Sequence, residues 1–323
     1  MRIALTYNLR RDRREASAEF DSRETVAAIT MLVESLGHHV TALDVTGSIP
    51  RVVAGLRWIR PDLVLNLAEG EHGAFREAFY PALFEQLGHA HTGSATSVLA
   101  LCLDKALAKR VVAAAGIAVA PGALVRGAGA GGGLPRVPLP ALVKPNLEGS
   151  SKGISAASVV ETPDALAART TELLGRYPDG VLVEQFVPGV DVTVGWIEPL
   201  GVLPAIAYRY PSARFAVYDY ALKHDTPELV VKQRVEPGLA ASIETAAARV
   251  FGALGVTGYG RADFRVTPAG EVVFLEMNAL PSLAPGEDLY VAAGWLGVRP
   301  RELFAHVVQT ARQARGAPRV AQA

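Results

Sequence analysis

Three oxygen-bearing side chains towards the C-terminal end have the types and spacing to hold a hard metal ion. Glu276 and Asn278 alternate with Leu275 and Met277 in the apolar run Val272-Val273-Phe274-Leu275-Glu276-Met277-Asn278. In an extended strand the polar pair shares one face and the apolar pair points into a core. Asp263, in Gly260-Arg261-Ala262-Asp263-Phe264, stands thirteen residues before Glu276, and a hairpin through Pro268-Ala269-Gly270 folds it back beside them. Carboxylate and amide oxygens, without thiolate or imidazole, suit magnesium better than zinc. Magnesium held by few side chains keeps positions for water and phosphate, which points to nucleotide chemistry. An ordinary hairpin with a polar rim has the same pattern.

Two further segments carry candidate nucleotide contacts. Lys144 ends the apolar run Leu142-Val143-Lys144 and is followed by Pro145-Asn146-Leu147-Glu148-Gly149-Ser150-Ser151-Lys152-Gly153-Ile154. Glycines let backbone N–H groups approach phosphate oxygens, and a lysine fixed on a strand can neutralise their charge. A hairpin with a solvated lysine is the alternative. In Val181-Leu182-Val183-Glu184-Gln185-Phe186-Val187-Pro188-Gly189-Val190-Asp191, a strand runs into a linker. Its free backbone groups can pair with an adenine edge and Asp191 with ribose hydroxyls, or the segment is a solvated strand end.

Alternating strands and helices must position these groups. Strands are expected at residues 3–7, 40–45 and 63–67, and helices at 23–36 and 75–87, stopped by Gly37 and Gly88. That βαβ alternation implies a parallel sheet in an α/β protein. A long helix is expected over 95–115, then strands at 141–144, 181–184, 190–196 and 202–208, with helices at 163–174 and 239–254. The run Gly127–Gly133 has no strand–helix frame and no following Lys-Ser/Thr, so it reads as a connector rather than a phosphate loop. Cys102, Trp58, Trp196 and Trp295 read as packing residues.

Bulk properties narrow the class. The 323 residues are 50% hydrophobic, yet no apolar run reaches membrane-spanning length and no signal peptide opens the chain. Lysine plus arginine (32) equals aspartate plus glutamate (32), which argues against a nucleic-acid-binding field. One cysteine excludes an internal disulfide or thiolate cluster. A cytoplasmic enzyme of small molecules is expected, binding neither membrane nor nucleic acid.

Taken together and in order, Thr92-Gly93-Ser94, Asp104-Lys105, Lys144-Pro145 with Glu148-Gly149-Ser150-Ser151, Gly260-Arg261-Ala262-Asp263 and Leu275-Glu276-Met277-Asn278 resemble the ATP-grasp superfamily. Within it the chain resembles the D-alanine–D-alanine ligase family, over nearly its whole length. The resemblance implies an ATP-grasp fold with an N-terminal Rossmann-like (pre-ATP-grasp) domain. It divides the chain into a substrate unit (1–95), a central unit (96–184), a C-terminal unit with the metal site (185–315) and a tail (316–323). It implies a homodimer that uses ATP and two magnesium ions, with manganese as an alternative, to join two amino-acid-like substrates through an acyl phosphate. ADP and phosphate would be released.

By the same resemblance, Lys105 and Lys144 contact ATP phosphates under a loop formed by Glu148, Gly149, Ser150, Ser151 and Gly153. Glu184, Gln185 and Val187 line the adenine pocket, and Asp191 holds the ribose. Asp263, Glu276 and Asn278 hold the metal ions, Arg261 stabilises the transferring phosphoryl group, and Lys223 reaches the γ-phosphate from a lid over residues 218–224. Glu15, linked to Ser150, binds the ammonium of the first substrate.

Departures from the family pattern bear on substrate. Asn8-Leu9-Arg10-Arg11-Asp12-Arg13-Arg14-Glu15 replaces a Gly-Gly turn, Asn66-Leu67-Ala68-Glu69-Gly70-Glu71 stands where a His-Gly is expected, and His224 replaces a lid tyrosine. Glu287 and Asp288 fall near the expected second-substrate turn, so a free α-carboxylate there is expected to be repelled. These features favour a specialised dipeptide or amide ligase. Authentic D-alanine–D-alanine ligation for the cell wall and a non-catalytic nucleotide-binding module are the alternatives.

Overall fold

The computed structural model describes residues 1–12, 14–127, 134–211 and 214–316, so Arg13, most of the glycine run and the tail after 316 lie outside the described residues. The chain opens with β1 (Arg2–Tyr7), α1 (Arg23–Glu34), β2 (His39–Asp44), α2 (Ile49–Ile59), β3 (Leu63–Leu67) and α3 (Arg76–Gln86). The strands pair in parallel in the order β2-β1-β3. Helices cover both faces of such a sheet, and every residue of β3 is buried. Ser22 starts α1 by accepting the Thr25 N–H at 3.1 Å, and Val26, Ile29 and Val33 form its buried stripe. Trp58, expected to pack, is 80% exposed.

The single helix expected over 95–115 is two, α4 (Thr96–Leu103) and α5 (Lys105–Ala114). Asp104 breaks it, with extended backbone and its Oδ1 accepting the Leu107 N–H (3.0 Å) and an Asn146 amide N–H (2.8 Å). Asn146 Oδ1 in turn accepts the Ala106 N–H at 2.9 Å. The break ties the start of α5 to the residue after Lys144-Pro145 and so brings Lys105 to the glycine loop.

β4 (Gly122–Val125), β5 (Ala141–Pro145), β6 (Val159–Val160) and β7 (Val181–Gln185) form an antiparallel sheet in the order β4-β7-β5-β6, covered by α6 (Pro163–Arg176) through Leu166 and Leu173. The last sheet holds β8 (Val190–Ile197), β9 (Gly201–Val202), β10 (Ile206–Arg209), β11 (Val231–Arg234), β12 (Tyr259–Val266) and β13 (Val272–Asn278). Its order is β11-β10-β8-β12-β13, with β9 on β8. Pro204, which has no N–H to donate, separates β9 from β10 where one strand was expected. A five-residue α7 (Tyr220–His224) lies over this sheet's cavity side, and α8 (Pro237–Leu254) packs Ile243, Ala247 and Phe251 against Phe264 and Phe274 on the other. Finally α9 (Asp288–Gly294) and α10 (Pro300–Gly316) return to the first sheet, where Leu289, Phe304 and Val307 join Ile3, Leu5, Ile29 and Val33 in one core. No helix among the described residues is long and apolar enough to cross a membrane.

Gly189 enters β8 at φ +151°, and a Cβ there would stand 2.1 Å from the Val266 carbonyl oxygen. Gly189→Ala should therefore lower unfolding free energy by about 2 kcal/mol in a denaturant titration; an unchanged midpoint would contradict the close approach.

Candidate active site

β12 is an interior strand between β8 and β13, and alternation sends Arg261, Asp263 and Arg265 to one face while Ala262, Phe264 and Val266 enter the core. Arg261 Nε and Nη2 donate to the two oxygens of Asp263, each at 3.0 Å, and the Thr193 hydroxyl donates to Oδ1. β13 places Glu276 opposite Asp263 and Asn278 opposite Arg261. A bulge between Asp263 and Phe264 shifts the register, and Leu275, expected in the core, lines the cavity instead.

This face forms one side of a cavity of about 620 Å³. Burial raises the Asp263 carboxyl above its usual range against the pull of Arg261. Burial also opposes the charge on Glu276, but Lys105, Lys144 and Arg261 outweigh it and hold the group down to about 2. Lys105 Nζ lies 3.3 Å from Glu276 and donates to the Glu148 carbonyl at 2.5 Å. Asn278 Oδ1 accepts the Leu280 N–H at 3.0 Å and keeps a second lone pair. Two cross-strand carboxylates and an amide oxygen make an all-oxygen donor set, which fits a hard divalent cation.

Lys144 on β5 and Lys109 on α5 both sit 2.9 Å from the carboxylate of Glu184, and all three are buried. Burial would raise the Glu184 carboxyl, but the two ammonium groups hold it below its usual range. Glu184, expected against adenine, is thus clamped between lysines, and the trio keeps one net positive charge facing the phosphate end. Gln185, Phe186 and Val187 line the neighbouring wall with Leu142 and Leu275. Asp191, expected on ribose, also lines the cavity, its carboxylate bound by Arg265 and Tyr210. Arg265 also donates to the Val187 carbonyl at 3.0 Å and lies over the Phe186 ring at 5.3 Å. It was not anticipated, although its alternation with Arg261 and Asp263 marks it.

Ser150 and Ser151 take φ of 50° and 57°, left-handed conformations that non-glycine residues hold only where neighbours impose them. Residues 218–224 make contacts with this turn. Ser151 Oγ donates to the Tyr218 carbonyl (3.0 Å), Tyr220 N–H to the Ile154 carbonyl (3.2 Å), and a His224 ring nitrogen lies 3.1 Å from the Ser150 carbonyl. Behind them Lys223 faces the cavity, its ammonium disfavoured by burial and by Arg261.

Glu15 is not brought to the cavity, and Ser150 is not its partner. Its carboxylate accepts from the Gly153 N–H (2.6 Å), Arg176 (2.5 Å) and Tyr177 (3.1 Å). Glu19 lines the cavity instead, accepting from Lys152 (2.6 Å), Arg76 (3.1 Å) and the Gly149 N–H (2.9 Å). A side chain on Gly149 would collide with it, since a Cβ would lie 2.3 Å from Glu19 Oε1. Spacing alone does not choose between two glutamates in an irregular loop. Of the basic run, Arg10 lines the cavity while Arg11 and Arg14 pair with Asp44 and Asp12. Asp288 is buried 2.9 Å from Lys232 and 3.8 Å from Arg261, so its own charge is offset, while Glu287 lines the cavity beside it.

Burial opposes the Glu19 charge, but Arg76 and Lys152 hold the group at about 2 against an ordinary 4.5. A lowered folded-state value contributes stability that is complete above the unfolded value and lost as pH falls through the folded one. Glu19→Gln should be less stable than the parent protein by about 3 kcal/mol at pH 7, with the gap shrinking from pH 4.5 towards pH 2. Denaturant titrations across that window test this, and a pH-independent gap would contradict it.

Residues 113–309 match the family model described as D-ala D-ala ligase C-terminus. A D-alanine–D-alanine ligase of Geobacter sulfurreducens is 32% identical over 265 residues, covering 79% of this chain and 78% of that protein. One from Citrifermentans bemidjiense is 30% identical over 301 residues, 92% of each chain. Among solved structures, the ATP-complexed D-alanine–D-alanine ligase of Bacillus anthracis superposes with a TM-score of 0.77 at 19% identity, covering 98% of this chain and 99% of that one. The VanG D-Ala:D-Ser ligase of Enterococcus faecalis gives 0.72 at 21%, covering 96% and 98%. The fold is therefore that of the ATP-grasp enzymes, and the chain belongs to the D-alanine–D-alanine ligase family, ATP-grasp ligases that form a carbon–nitrogen bond.

Proposed function

We propose that the protein activates the carboxylate of one amino-acid-like substrate with ATP and joins it to the amine of a second. The observation that carries this reading is the convergence of Arg261, Asp263, Glu276 and Asn278 with Lys105, Lys144 and the 148–153 loop around one cavity. A carboxylate resists nucleophiles because of its charge. Attack by its oxygen on the γ-phosphorus, with departure of ADP, gives an acyl phosphate; the amine then attacks the carbonyl, loses a proton and expels phosphate. Lys144 and Lys105 would hold ATP phosphates, Gln185 and Val187 would border the base, and Arg261 and Lys223 would meet the charge on the transferring group. Asp263, Glu276 and Asn278 would hold magnesium, which when bound neutralises phosphate charge. The lid joined to Ser150 and Ser151 excludes water that would hydrolyse the acyl phosphate.

The unit boundaries at residues 95, 184 and 315, a cytoplasmic setting and a homodimeric assembly belong to the same proposal. The relatives' names support amino-acid substrates, and the D-Ala:D-Ser ligase has a different second substrate on the same fold.

ADP release should require a carboxylate donor and an amine together; release without an amine, or none with any pair, would contradict ligation. Glu276→Gln should cut turnover about 100-fold or more and raise the magnesium concentration needed for half-maximal rate. Near-normal rates at limiting magnesium would contradict the metal role. Lys144→Ala should weaken ATP binding in a calorimetric titration, and unchanged affinity would remove it from the phosphate site.

A further inference from the structure

The cavity has another wall whose charge the phosphate and metal ends do not use. Glu69, in the loop after β3, and Glu77, in the first turn of α3, converge with Glu19 so that one carboxylate oxygen of each lies within 4.8 Å of the others. Glu77 is 8% exposed and lines the cavity, and neither it nor Glu69 has a hydrogen bond or ion pair with the described residues. Arg76 and Lys152, which pair with Glu19 and Glu148, do not line the cavity, although Arg76 acts on Glu69 and both act on Glu77 through space. Asp21 adds a further carboxylate, while the cations lining this end are Arg10 and Lys105, the latter engaged by Glu276. Burial, the largest cause, pushes Glu77 up to about 7 against the pull of Arg76, Lys105 and Lys152, and with Glu77 and Glu19 it pushes Glu69 well above its ordinary range against Arg76.

Building on the ligase reading, we propose that Glu69 and Glu77 recognise a positively charged group, a primary ammonium or guanidinium, that a substrate carries in addition to its α-amino group. A buried carboxyl pair without an ion pair becomes fully charged only when a cation enters to offset its burial. The oxygens of Glu19 are already taken by Lys152, Arg76 and the Gly149 N–H, which leaves too few for a metal ion. An ammonium needs only the two free carboxylates, and its donors match them. The wall is continuous with the reaction centre through Lys105, which reaches Glu276 and the Glu148 carbonyl. The substrate class is basic amino acids, and Glu69 belongs to the segment Asn66-Leu67-Ala68-Glu69-Gly70-Glu71 that stands where a His-Gly is expected.

The test compares ornithine with norvaline and lysine with norleucine, pairs that differ only in the terminal ammonium, as D and L forms. ADP release is followed with ATP, magnesium and mixed amino-acid acceptors. The basic member of a used pair should have kcat/KM about 100-fold higher, and Glu77→Gln and Glu69→Gln should each remove most of that ratio. Equal use within pairs, or a ratio unchanged in both variants, overturns the proposal. Calorimetric titration of the same compounds into protein with ADP separates the two readings. If no pair releases ADP, ligation fails, yet selective binding of ornithine or lysine that both variants weaken still upholds the site, and unselective binding overturns it. Manganese binding without nucleotide that Glu77→Gln abolishes would make the wall a metal site and also overturn it. Thermal melts accompany both variants, and Glu69→Gln carries the test if Glu77→Gln does not fold.

Discussion

An interior strand that carries ionised side chains on one face can be buried only if each charge meets an opposite one, and β12 sets that requirement for the whole cleft. Arg261 is held by Asp263 and Arg265 by Asp191. Across the hairpin Glu276 meets Lys105 from α5, and Glu184 on β7 binds Lys109 and Lys144. A buried ion without a partner costs several kcal/mol. Because α5 supplies Lys105 to one sheet and Lys109 to the other, the cleft forms only when both sheets meet that helix. Glu19 extends the same logic to the first sheet by holding Lys152 and the Gly149 N–H of the loop.

The pairing leaves charge unevenly distributed along the cavity, and that unevenness is what a reaction can use. Two lysines against one glutamate leave positive charge at the phosphate end, while Asp263 and Glu276 face each other across two strands. Glu69 and Glu77 put two carboxyl groups without an ion pair at the far wall, where burial favours their neutral form. Groups fixed in this way need no reorganisation when charge moves in a transition state, which is the main source of electrostatic catalysis. Residues 218–224 contact Ser150 and Ser151 on a further side of the cavity, through the Tyr218 carbonyl and the His224 ring.

What was legible in the sequence follows the regular backbone. Alternation on one hairpin gave Asp263, Glu276 and Asn278 a common face, and the parallel β2-β1-β3 sheet followed from apolar runs separated by helical ones. Irregular backbone hid the rest. The bulge at Asp263 that turns Leu275 to the cavity has no sequence signature, and apolar periodicity runs unbroken through Asp104, whose helix break depends on Asn146 some forty residues away. Glu15 and Glu19 share an irregular segment, so only their long-range partners separate them, Arg76 and Lys152 for Glu19 and Arg176 and Tyr177 for Glu15. Asp191 and Glu184 line the cavity as expected, while their long-range partners Arg265 and Lys109 are not legible from spacing.

The central claim is that this cleft transfers phosphate to a carboxylate oxygen before the amine attacks. Isotope transfer reads that step without reference to any variant. A donor amino acid labelled with oxygen-18 in its carboxylate, turned over with ATP and an amine, should deliver one labelled oxygen to each released inorganic phosphate, seen by mass spectrometry. Phosphate released without label while the amide accumulates would contradict the acyl-phosphate route.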